Sequence, residues 1–133
     1  MIIAMSAMVF LTMIIGLITL MTRINCARAG SVNPDYFRLM QGDAPEVLVR
    51  TSRAFSNQFE VPVLFYVVTT LSLFLMPNNV LNFYLAWLFV FSRYVHAYIH
   101  LSYNHVIHRL LAFLAGFFSV MVMWLNLLIN NFF

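Results

Sequence analysis

RAFSNQFEVPVLFYVVTTLSLFLM, residues 53–76, decides how the rest of the chain is read. From Val61 onward it is apolar enough to lie in a bilayer, yet Arg53, Asn57 and Glu60 stand at its entrance. A helix crosses the hydrocarbon with about 20 mostly apolar residues. Outward from this segment, residues 1–22, 61–92 and 110–133 carry no charged side chain. The middle run is too long for one helix and is interrupted at Met76-Pro77-Asn78-Asn79, a turn sequence. Four spans are expected, at about residues 2–24, 46–75, 80–102 and 105–130.

Composition agrees: of 133 residues, 63% are hydrophobic and 8% charged, and the mean hydropathy is +0.90. That is far outside the balance of a soluble domain and predicts an all-α integral membrane protein, a single-domain, four-helix up-down bundle. The N-terminal apolar run reads as a retained span, because no basic residue precedes it and no small-residue cleavage site follows.

The seven basic residues are all arginines. Arg23, Arg28, Arg38, Arg50 and Arg53 lie in or beside the first loop, and Arg93 and Arg109 flank the third. The positive-inside rule therefore makes loops one and three cytoplasmic and both termini external. The net charge of +3 is a topology signal, and no nucleic-acid partner is implied. Cys26 is the only cysteine, so no internal disulfide forms and it reads as a small residue near the end of the first span. In the first loop, Asp43-Ala-Pro-Glu46 predicts a helix start with Asp43 as N-cap and Pro45 in the first turn.

Arg50, Arg53, Asn57 and Glu60 fall within about 80° of one another on a helix turning about 100° per residue. Glu60 lies about 20 Å along the second span, so either the helix protrudes from the bilayer or the carboxylate is embedded, and the stripe is expected to face protein. Arg93, His96, His100 and Tyr103 repeat the same spacing on the third span. The two stripes predict facing helices with Arg93 as the partner of Glu60. His105, His108 and Arg109 open the fourth span, whose Ala112, Gly116 and Ser119 continue that face with small residues suited to close helix contact.

Three chemistries fit these groups. Guanidinium forks, an amide and a carboxylate match a small molecule bearing two carboxylates and an amine, such as glutathione, whose thiol a nearby cation would activate. Alternatively, His96, His100, His105 and His108 could ligate a metal or haem, although no Asp or Glu lies nearby in sequence and two of them sit across a turn. In the third reading the polar groups only pack helices, and the apolar exterior binds lipid or another membrane protein.

Arg53-x-x-x-Asn57-x-x-Glu60 before a hydrophobic helix, Arg93-x-x-His96, and Arg109 thirteen residues further on together resemble the MAPEG family, membrane-associated proteins in eicosanoid and glutathione metabolism. The resemblance implies a homotrimer with glutathione bound between subunits near the cytoplasmic side. Arg53, Asn57, Glu60, Arg93, His96 and His100 are the candidate glutathione-binding residues, Arg109 is the candidate catalytic residue that stabilises the thiolate, and no metal is involved. A small hydrophobic second substrate would arrive through the bilayer. The chain departs from the prostaglandin E synthase pattern at three positions: His100 and Phe113 stand where that pattern has tyrosines, and Leu110 where it has a serine. Hydroxyl donors are thus lost, so eicosanoid synthesis does not follow. The first-span arginine of the pattern has two candidates, Arg23 and Arg28.

The expectation is a glutathione-dependent transferase or peroxidase in a bacterial inner membrane, acting on hydrophobic electrophiles or lipid hydroperoxides. The rival is a non-catalytic scaffold or lipid-binding protein of the same fold.

Overall fold

The computed structural model describes residues 1–33, 35–39 and 42–132. In chain order it contains α1 (Ile2–Arg28), a short α2 (Tyr36–Leu39), α3 (Glu46–Ser56), a 3-10 turn at Asn57–Phe59, α4 (Val61–Leu75), α5 (Val80–Leu101) and α6 (Val106–Phe132). The chain is 84% helical, with no strand among the described residues.

α1, the run from α3 through α4, and α6 are long and apolar enough to cross a membrane, their most apolar 18-residue stretches having mean hydropathies of 2.4, 1.6 and 2.1. α5 has the length, at 22 residues, but falls outside this set because Asn82, Arg93, His96 and His100 interrupt its apolar residues. The four expected spans therefore become three apolar ones and a polar helix. α5 touches α1, α3, α4 and α6, and those four polar side chains are buried. Its neighbours screen it, which is the arrangement an intramembrane polar helix requires.

The shared core draws Met8 and Ile15 from α1, Phe65 and Val68 from α4, Phe89 from α5 and Met123 from α6. Phe65 stacks on Phe89 at 4.3 Å between ring centroids. Gly116 sets the approach of α6 to α5: a Cβ there would lie 2.5 Å from Ser92 Oγ. The small-residue face expected on the fourth span does permit a close contact, centred on Gly116. Facing outward are Ile3, Phe10, Phe74, Phe91, Leu111 and Ile129, all exposed.

Two local expectations change. α3 begins at Glu46 with Pro45 in the cap position, and its cap carries no side-chain hydrogen bond, so Asp43 is not the N-cap. The Pro45 ring fixes its φ (−53°), its ψ of 139° is extended, and its carbonyl accepts from the Leu48 and Val49 N–H groups. The second span is also not one continuous helix. Pro62 has no N–H to give the Gln58 carbonyl, and its ring excludes that carbonyl sterically. The chain passes through the 3-10 turn, bends at Glu60 (φ −97°, ψ −104°) and restarts with Pro62 in the first turn, where a missing N–H costs nothing.

The turn expected around Pro77 is present, with Asn79 capping α5 by accepting from the Asn82 N–H at 2.8 Å. An amide network grows from it: Asn82 donates to Ser72 at 2.8 Å, and Asn126 of α6 donates to Asn82 and Asn79 at 3.0 and 3.2 Å. At the other end, Cys26 is buried with Val32, Tyr36 and Leu48 in a small second core under the first loop.

Candidate functional site

The helix break and the α5–α6 turn meet at one end of the molecule and enclose a cavity of about 380 Å³. Arg53, Asn57 and Glu60 line it from the α3 side, His96 and His100 from α5, and Arg109 from α6. Six of the seven sequence-derived site residues therefore line one cavity. Ser56, Val106, Leu110 and Phe113 complete the lining. Ser56 went unnoticed in the sequence, although its spacing of three from Arg53 placed it on the same helix face.

Arg93 is the exception. It is 1% exposed, and its Nη2 donates to the Asn57 carbonyl at 2.9 Å. A continuous helix would have paired that carbonyl with the Val61 N–H; the break leaves it for Arg93. The expected Glu60–Arg93 ion pair is not formed. Among the described residues the one ion pair within 4 Å is the exposed Arg38–Asp35 pair of the first loop, and Glu60 itself is exposed at the bend. Arg93 thus serves the site by anchoring the turn that carries Asn57.

Two histidines one helical turn apart hold Arg109 at two points. His96 Nδ1 lies 3.0 Å from the Arg109 carbonyl, and because a carbonyl can only accept, Nδ1 carries the proton. Arg109 Nη1 lies 2.8 Å from His100 Nδ1, and because a guanidinium can only donate, that nitrogen is bare and the proton sits on Nε2. The two rings, 6.0 Å apart and tilted by 17°, are therefore opposite tautomers. The Nε2 of His96 is buried with no hydrogen-bond partner among the described residues. Arg109 Nη1 also donates to Asn104 Oδ1 at 2.7 Å. Asn104 adopts a left-handed backbone (φ 49°), a conformation asparagine tolerates, with its N–H bonded to the Ile99 carbonyl at 2.8 Å.

Other expected members point elsewhere. α5 ends at Leu101, so Tyr103 leaves the stripe and its hydroxyl meets His108 Nδ1 at 3.2 Å. His105 and His108 pack together, 4.4 Å between centroids, and neither lines the cavity. Arg50 reaches the Ser102 carbonyl at 3.2 Å and lines a smaller cleft with Arg53, His100 and Asn104. Neither Arg23 nor Arg28 is on the cavity wall. Among the described residues no cluster of three or more His, Cys, Asp or Glu could hold a metal ion.

A family model, that of the MAPEG family, matches residues 1–129. The chain belongs to the MAPEG family. No curated protein and no solved structure matches it. Membership together with the apolar helices makes this an integral membrane protein. The family comprises glutathione-dependent transferases and peroxidases as well as non-catalytic members. This MAPEG chain brings Arg53, Asn57, Glu60, His96, His100 and Arg109 to the cavity and leaves apolar side chains such as Phe10, Phe74 and Phe91 exposed on its outer faces.

Proposed function

We propose that this MAPEG protein is a glutathione-dependent membrane transferase or peroxidase acting on hydrophobic electrophiles or lipid hydroperoxides. The observation that carries the reading is the convergence of Arg53, Asn57, Glu60, His96, His100 and Arg109 on one cavity. Glutathione has two carboxylates, one ammonium and two amides. Arg53 supplies a carboxylate fork, Glu60 an ammonium partner, and Asn57 an amide-compatible donor and acceptor. Arg109, as the family resemblance implies, stabilises the thiolate, since a nearby cation favours the charged form of a thiol. The sulfur electron pair then bonds to an electrophilic carbon as its leaving group departs. With a hydroperoxide the O–O bond breaks instead, and a second glutathione completes reduction to alcohol, water and disulfide.

The same reading has the chain working as a homotrimer in a bacterial inner membrane, with the cavity on the cytoplasmic side and both termini external. Its single-domain form rests on the length and span plan of the chain, its trimer on the family resemblance, and its orientation on the arginine distribution. The alternative is a non-catalytic scaffold or lipid-binding protein. Leu110 and Phe113 favour it, because they bring no hydroxyl to the cavity.

Calorimetric titration of glutathione into the detergent-solubilised protein tests the proposal. Saturable binding, lost on Asn57→Ala, with ultraviolet thiolate absorbance lost on Arg109→Ala, supports it. A well-folded protein that takes up no glutathione would falsify it and leave the scaffold reading.

A further inference from the structure

We propose that His100 is a positioning residue: as the Nε2–H tautomer, its bare Nδ1 acts with Asn104 Oδ1 to hold the Arg109 guanidinium in one orientation at the cavity. The role of the held arginine rests on the function proposed above; the grip itself does not. Nη1 of an arginine has two hydrogens, and here both are engaged, one by His100 at 2.8 Å and one by Asn104 at 2.7 Å. With Nη1 saturated, the edge formed by Nε and Nη2 is the fork left to meet an anion.

Each gripping group is itself held. His100 is 4% exposed and stacks on His96, so its ring has no room to swing. Asn104 is fixed by its left-handed backbone and its N–H bond to Ile99. His96 fastens the Arg109 backbone through the carbonyl, so one face of α5 fixes both ends of the arginine. Arg50 and Arg53 from α3, and Glu46 across the smaller cleft, also face this corner. The surplus of cationic neighbours makes a bare acceptor the form of His100 that can sit beside a third guanidinium. A free arginine side chain samples many rotamers, and ordering it before the anion arrives removes that cost from the binding or reacting step.

The histidine ring separates positioning from mere packing. Asparagine places its amide oxygen where Nδ1 stands, whereas glutamine places its amide group where Nε2 stands. The experiment measures steady-state kinetics of wild type, His100→Asn, His100→Gln and Asn104→Ala in detergent, each checked for unchanged helicity and assembly. The reaction is conjugation of glutathione to a chlorodinitrobenzene-type electrophile. His100→Asn is expected to keep at least about fivefold more kcat than His100→Gln, since both lose the outer ring nitrogen and only Asn keeps an acceptor for Arg109. His100→Gln and Asn104→Ala are expected to lose about tenfold or more in kcat, with KM for glutathione changed less than about threefold. Nitrogen-15 NMR of histidine-labelled wild type supplies a readout independent of activity, with His100 protonated on Nε2 and His96 on Nδ1. Equal damage from Asn and Gln, an unaffected Gln variant, or a His100 proton on Nδ1 overturns the proposal. If wild type neither binds nor turns over glutathione, the functional reading fails by itself, and the nitrogen spectra still decide whether His100 holds the arginine.

Discussion

Arg93 shows how a single buried charge shapes this site from outside it. Its guanidinium is almost wholly enclosed, and its one described hydrogen bond goes to a backbone carbonyl freed by the Pro62 break. Arg93→Ala removes a charged donor, strands the Asn57 carbonyl and opens a void, and it should cost about 3 kcal/mol of stability. Thermal or denaturant unfolding in detergent measures it; a loss under about 1 kcal/mol would contradict the anchoring role. Glu60 makes no contact ion pair with Arg93, so a double-mutant cycle of Glu60→Gln with Arg93→Ala should give a coupling below about 1 kcal/mol. A larger coupling would mean that the two groups meet in the membrane.

The elements are joined by two close features, and each makes a prediction. At Pro62 the missing N–H turns one span into two helices with a 3-10 turn between them. Pro62→Ala restores the donor and allows a continuous helix, which carries Asn57 and Glu60 away from their present register. The expected result is weaker ligand binding at nearly unchanged or raised thermal stability, read by titration and melting of the same sample. At Gly116 the approach of α6 to Ser92 leaves no space for a methyl group. Gly116→Ala should therefore destabilise the α5–α6 contact by about 1–3 kcal/mol. Adding Ser92→Ala removes the obstructing oxygen and should recover part of the loss; if it recovers none, the strain lies elsewhere.

Across the whole molecule, polar groups gather at both ends and apolar ones between them. At the end opposite the cavity, Asn79, Asn82, Asn126 and Ser72 tie α4, α5 and α6 together through amide bonds. Asn82 is fully buried, and Asn82→Ala should cost about 1–2 kcal/mol by leaving Ser72 and Asn126 short of a partner. Hydrogen exchange at the ends of α4 and α6 would register the loosening, and unchanged protection would argue that the network is dispensable. The cavity at the other end is built from three separate helical elements.

Much of this was legible in the residues. Charge-free runs of span length and the Pro77 turn locate the helical segments, because hydrocarbon tolerates little else. The spacing of Arg53, Asn57 and Glu60, and of Arg93, His96 and His100, marks the polar faces, since helical periodicity alone puts such residues side by side. Periodicity by itself did not register the interruption at residues 57–60, whose sign in the sequence is Pro62 and its missing N–H, and whose freed Asn57 carbonyl is taken by Arg93 of α5. Nor could it tell that Arg93 takes a carbonyl in place of Glu60, that Tyr103 swings to His108, or that Asn104 joins the grip on Arg109. Composition and pattern determined which segments are apolar enough for a membrane and which faces are polar, because those follow from local chemistry summed along the chain. The tertiary structure decided which polar group meets which, because each hydrogen bond depends on ångström-scale distances set by packing between helices far apart in sequence.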